Sequence, residues 1–188
     1  MTTQQITIDT ASRIFTVLET GDAELAGRIA HPEFRNREAG VAPLAASRPG
    51  PAGLLASSAW MRHAFSNLRF TISDSAVNGD VVWLRMRMTG AHTGAFVPYR
   101  EGALAQAVPP TGRSIDFEQI HLLWMRDGLV VGHEAVRDDV TMLGQLGVFP
   151  PTPRVGLRML LWGAFGTAKK EAAAVGAAAE AAASAVAG

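Results

Sequence analysis

The chain has 188 residues, enough for one ordinary domain with a real core. Its 17 basic and 17 acidic side chains cancel, so no basic surface is expected to track nucleic-acid phosphates, and 48% apolar residues exclude general disorder. With no cysteine, disulfides, thiolate nucleophiles and cysteine-held metals are excluded.

The first residues lack the basic start and apolar core of a secretion signal, and no run of about 18 apolar residues occurs. A cytoplasmic protein with no membrane span is expected. Helices come first. Asp9 or Thr10 is placed to cap a helix over residues 9–20, with Ile14, Phe15 and Leu18 at helical spacing and Gly21 as its stop. Asp22 caps a second short helix, which His31-Pro32 ends, because a residue before proline disfavours the α region. A short extended segment follows, carrying Phe34, Asn36 and Glu38. Residues 39–52 hold three prolines and two glycines and read as a loop. A third helix is predicted over 53–66, with Leu54, Leu55, Trp60, Met61 and Phe65 mainly on one stripe.

From Leu68 the apolar period changes to two. Asn78-Gly79 predicts a hairpin turn, and the strand after it places Val82, Leu84, Met86 and Met88 on one face. Residues 95–113 form a loop long enough to be a flap over a pocket. The next strand carries Ile115, Phe117, Gln119, His121 and Leu123 on one face. Asp127-Gly128 turns the chain back, and the returning strand reads as Leu129, Val131, His133, Ala135 and Arg137 on one face, with Val130, Glu134 and Asp138 on the other. A short helix then ends at Gly147. Residues 1–150 are read as one domain and 151–188 as a helical extension. Its alanine-rich second half has little to bury and is free to fray. Helices, then long antiparallel strands, then a tail make an α+β arrangement, a curved sheet with helices covering one side.

Phosphate-binding loops and a GxSxG elbow are absent. His133-Glu134 opens like a zinc-protease motif, but Arg137 stands where the second histidine belongs, and no metal site is expected. Acid/base work in an apolar cavity remains. His121 is the leading candidate, since imidazole gives and takes protons near neutral pH; a buried histidine held by one hydrogen bond is the plainer alternative. Gln119 on the same face can hold a carbonyl or fix the imidazole. His133 shares the hairpin. Asp138 is either a second proton carrier or, with Asp139, an N-terminal cap for the helix that follows. Asn36, Glu38, Trp60, Met86, His92, Tyr99, Phe117 and Arg137 complete the expected substrate contacts. Met86, with Met88, and Trp60, with Phe65, are read as core or apolar lining.

Several pieces together resemble one family: Trp60–Phe65 with Leu68-Arg69-Phe70, Thr89-Gly90-Ala91-His92-Thr93-Gly94, Pro109-Pro110-Thr111-Gly112-Arg113, the Asp127-Gly128 turn, and His133 to Asp139 followed by Leu146-Gly147. They look like the SnoaL-like polyketide cyclases of the NTF2-like superfamily, over about residues 8–150. The resemblance implies a cone-shaped α+β barrel, a homodimer, and no metal or organic cofactor. It implies ring closure of a polyketide ester by intramolecular aldol condensation, with an aspartate on the last strand and a histidine on the strand before it. His121 matches that histidine. The aspartate's place falls near Ala135, where this chain has no acid. The expectation is therefore a cofactor-free cyclase of secondary metabolism acting on a small, largely apolar molecule, by acid/base work or by shape. The competing expectation is a binding module without catalysis, docking a small molecule or a partner.

Overall fold

The computed structural model describes residues 2–186. Helix α1 (Thr3–Thr20) begins earlier than the apolar spacing suggested, because the Thr2 hydroxyl, not Asp9 or Thr10, accepts the Gln5 N–H and caps it. Gly21 ends it in the left-handed conformation, and Asp22 caps α2 (Ala23–Ile29) through the Leu25 N–H, both as predicted. Strand β1 (Ala30–Asn36) follows. The proline-rich loop is tighter than expected, with 3₁₀ turns at Arg37–Val41 and Leu44–Ser47. Helix α3 (Pro51–Ala64) starts on proline, whose missing N–H costs nothing in a first turn.

The sheet follows: β2 (Phe65–Asn78), β3 (Val81–His92), a short hairpin β4 (Tyr99–Arg100) and β5 (Ala103–Leu104), then β6 (Ser114–Arg126) and β7 (Leu129–Arg137). The main sheet runs β1-β7-β6-β3-β2; β1 pairs parallel to β7 and every other neighbour is antiparallel. The two edges, β1 and β2, are not joined, so the sheet is curved but unclosed. Bulges in β2, between Ser66 and Arg69 and between Ile72 and Asp74, break its ladder to β3. Asp127 and Gly128 both take positive φ (52° and 77°), the twist that lets a two-residue turn join β6 to β7.

Val82, Leu84, Met86 and Met88 on β3, and Ile115, Phe117, Gln119, His121 and Leu123 on β6, are all buried against the helices, as their alternation predicted. The reading of β7 needs a correction. Trp124 pairs with Gly132 but Met125 pairs with Val130, so Val131 is a bulge. The bulge flips the alternation: Val130, not Leu129 or Val131, joins His133 inside.

Helices α4 (Asp139–Leu146), α5 (Pro153–Ala164) and α6 (Thr167–Ser184) close the chain. The alanine-rich stretch has more to bury than its composition suggested. Val175, Ala179 and Ala183 recur every fourth residue and are fully buried where α6 lies along α3. The Tyr99 hydroxyl donates to Ala172 O (2.8 Å), Arg48 pairs with Glu180, and Arg158 on α5 donates to Pro110 O (2.7 Å). Small side chains let two helices approach closely, so alanine here packs as well as favouring helix.

Candidate active site

Between the helices and the sheet lies a cavity of about 260 Å³, just below the roughly 300–1,000 Å³ usual for small-molecule sites. Leu18, Trp60, Met61, Phe70, Met88, Phe96, Phe117, Met142 and Leu143 supply its apolar wall. Val41, Ala42, Pro98 and Gln106 bring the proline-rich loop and the 95–113 segment to it, so the predicted flap does border the pocket. Asn36, Glu38, Ser57, Gln119, His121, His133, Arg137 and Asp139 are its polar groups.

Four of these form a line. Gln119 Oε1 lies 2.6 Å from His121 Nε2, His121 Nδ1 lies 2.8 Å from His133 Nε2, and His133 Nδ1 lies 2.9 Å from Asn36 Oδ1. Strand pairing sets this up. Both inward faces carry a histidine, and β1 pairs with β7 so that Asn36 sits opposite His133. The two imidazole rings stack nearly parallel (14°), and Phe15 of α1 presses edge-on against His121, with centroids 4.7 Å apart. Both histidines are buried.

Proton counting shows what the line does. Asn36 is fixed: its Oδ1 accepts the Glu38 N–H (3.0 Å) and its Nδ2 donates to Ser57 Oγ (3.2 Å), which donates on to Gly53 O (2.9 Å). His133 must then carry its proton on Nδ1, and His121 must donate from Nδ1 to His133 Nε2. A third proton, on His121 Nε2, is needed to face the Gln119 oxygen. Three protons on two imidazoles make a single shared positive charge. Burial opposes that charge. It pushes His133 down to about 4 and His121 well below its ordinary value, with the neighbouring imidazole and the Arg137 cation adding to the effect on His121. At neutral pH the pair is uncharged and one proton short, and the mismatch falls on Gln119, whose Nε2 is held, among the described residues, only by the Met88 sulfur (3.2 Å). The line is thus a base with acceptors already aimed at its protonated form.

Beside it lies a second polar group. Ala135 pairs with His121 across β6 and β7. Its N–H points away from β6 and donates to Glu38 Oε1 (3.1 Å), so the side chain of Glu38 continues the β1 edge where the backbone has turned into a 3₁₀ helix. Arg137 holds the other Glu38 oxygen (3.0 Å) and reaches Asp139 (3.3 Å). A carboxylate is therefore present at Ala135, delivered from the 3₁₀ turn that follows β1.

The structure brings together eight of the residues proposed from sequence: Asn36, Glu38, Phe117, Gln119, His121, His133 and Arg137, and Trp60 on the facing helix. Four others lie elsewhere. Asp138 accepts from Thr141 N (3.0 Å) and Thr141 Oγ1 (2.6 Å) as the cap of α4; these bonds hold its carboxyl below the usual range, and it does not line the cavity. Met86 is fully buried behind the wall, in the core that α1 and α2 make with the sheet. Tyr99 ties its hydroxyl to α6. His92 is buried against Phe65 and bonded through Nδ1 to Thr111 (3.0 Å), and burial lowers it to about 4. Its Nε2 has no hydrogen-bond partner among the described residues. Sequence reasoning missed Phe15, Ser57 and Met88 as shapers of the polar line. Two serines in the otherwise apolar stripe of α3 were the signal for Ser57. Among the described residues no group of three His, Asp or Glu side chains is placed to hold a metal ion, and no helix is long and apolar enough to cross a membrane.

The model of one family, SnoaL-like polyketide cyclase, matches residues 8–146. An aklanonic acid methyl ester cyclase, DnrD of Streptomyces peucetius, is 29% identical over 147 residues, covering 78% of this chain and 94% of that one. Another, AcmA of Streptomyces galilaeus, is 28% identical over 137 residues, 72% of this chain and 86% of that one. In three dimensions the chain resembles TsrD from Streptomyces laurentii with a TM-score of 0.62 at 22% identity, covering 79% of this chain and 99% of that one.

Proposed function

The chain belongs to the SnoaL-like polyketide cyclases, and from that premise we propose that it is a ring-closing enzyme of secondary metabolism whose proton carrier is the His121–His133 pair. The substrate is a largely apolar, polyketide-type ester, the class named for the relatives. One observation carries the mechanism: an apolar cavity ends on a buried, uncharged imidazole pair with an amide oxygen waiting at each end.

The steps balance without an outside reagent. Gln119 turns away and His121 Nε2 takes the proton from a carbon flanked by carbonyls; the C–H electron pair passes into the enolate. The pair then holds the third proton, shared between two rings and matched by Asn36. The enolate carbon bonds to a ketone carbon held close by the cavity walls, and the ketone oxygen takes the proton back from His121. Product and substrate have the same mass. Holding the two ends in contact supplies part of the rate enhancement, and Gln119 Nε2, exchanging the weak Met88 sulfur acceptor for substrate, holds the oxygen that gains charge. Glu38, docked on Ala135, accepts a hydrogen bond from a substrate hydroxyl on the same wall.

Two copies pair through the outer face of the sheet, where Trp83, Ile120 and Val136 are exposed among the Arg85–Glu118 and Arg87–Asp116 ion pairs. The test is incubation with aklanonic acid methyl ester, following conversion to an isomer of equal mass. His121→Ala should lose at least ~100-fold in turnover while its circular dichroism is kept. Turnover equal to wild type would remove His121 from the reaction.

A further inference from the structure

Helix α5 is apolar on two sides. Val155 is buried, and Met159 and Trp162 pack against the core. Leu157, Leu160, Leu161, Ala164 and Phe165, spaced i, i+3, i+4, i+7 and i+8, form a second stripe turned to solvent. Its large members are 58%, 73%, 44% and 79% exposed for Leu157, Leu160, Leu161 and Phe165. Charge around the stripe is one-sided. Residues 140–170 contain Arg154, Arg158, Lys169 and Lys170 and no acid, in a chain whose net charge is zero. Arg154 precedes the stripe and the only two lysines of the chain follow it; all three are exposed. Of the nearest acids in sequence, Asp139 pairs with Arg137, and Glu171, which follows Lys170, lies 3.8 Å from His63.

We propose that this face of α5 binds the surface of an anionic lipid bilayer. The helix lies in the plane of the interface, with Leu157, Leu160, Leu161 and Phe165 entering the acyl boundary and Arg154, Lys169 and Lys170 meeting lipid phosphates. A second copy is the poorer occupant. A two-fold contact puts the same patch on both sides, and here it would set two acid-free basic segments against each other. The stripe lies on one helix, which suits a fluid surface.

The experiment uses the full chain with vesicles of phosphatidylcholine alone and of phosphatidylcholine mixed with phosphatidylglycerol, separated by flotation. The chain floats with the mixed vesicles, less so in high salt, and not with phosphatidylcholine alone. Leu160→Asp with Phe165→Asp lowers the partition coefficient at least ~10-fold, and Lys169→Glu with Lys170→Glu lowers it by a similar factor, with circular dichroism and cavity-side turnover as in wild type. No flotation of the wild-type chain overturns the proposal. So does flotation that the Leu160→Asp/Phe165→Asp chain retains. A change of sedimentation coefficient in that variant, with no vesicle binding by wild type, assigns the face to a second copy and also overturns it.

Discussion

Replacing His133 with asparagine should flatten the pH dependence of stability on the acid side. His133 is buried and uncharged in the fold, with its pKa pushed down to about 4, against about 6.5 in an unfolded chain. Between those values the unfolded chain binds a proton that the folded chain refuses, so stability falls as pH drops through this window and is unaffected above it. For one such group the loss between about pH 7 and pH 5 is roughly 2 kcal/mol, and it approaches about 3 kcal/mol at pH 4. His121 and His92 are shifted the same way and add to the wild-type slope. Urea unfolding at both pH values, on wild type and His133→Asn, measures the difference of differences, in which every group unaffected by the substitution cancels. The variant starts less stable at pH 7, because His121 loses its partner, but it should lose about 2 kcal/mol less than wild type on going to pH 5. Equal losses in the two chains would mean that His133 already carries a second proton in the fold, as a cation, and the proton count for the Gln119–His121–His133–Asn36 line would fail.

Three further outcomes follow from the geometry. Glu38→Ala leaves the Ala135 N–H without its acceptor and Arg137 with Asp139 alone, and should cost about 1–3 kcal/mol in urea unfolding, while Glu38→Gln keeps an acceptor and costs less; equal costs would mean the Ala135 bond contributes nothing. Asp138→Ala removes the cap of α4 and should lower the melting temperature slightly with turnover unchanged; a large loss of turnover would return Asp138 to the reaction. Ala179→Glu drives a carboxylate into the buried α3–α6 contact and should cost at least ~3 kcal/mol by thermal unfolding, whereas a frayed α6 would tolerate it.

Much of this protein was readable from one-dimensional signals. The alternation over 115–123 put Gln119 and His121 on one buried face, because the side-chain period of a strand is fixed at two. Gly21, Asp22 and Asp127-Gly128 ended or turned the chain for local backbone reasons that no distant contact overrides. The resemblance carried by scattered short pieces named the family. Local signals were weaker where two explanations shared one residue: Asp138 read as cap or as proton carrier, and the cap won because Thr141 lies within reach.

What the tertiary structure decided was which groups meet. The Val131 bulge re-aimed β7, and a bulge is an extra residue that period-two counting cannot see. The parallel pairing of β1 with β7 set Asn36 opposite His133, two residues 97 positions apart, and no spacing rule reaches that far. It also brought the Glu38 carboxylate to Ala135, so the acid absent from the last strand in sequence is present there in space. Burial of α6 depended on the shape of α3, not on the hydrophobicity of alanine. The sequence by itself determined the strands, turns and the fold they imply, because those are set by neighbours along the chain. The proton line depended on long-range pairing, which only the folded chain supplies.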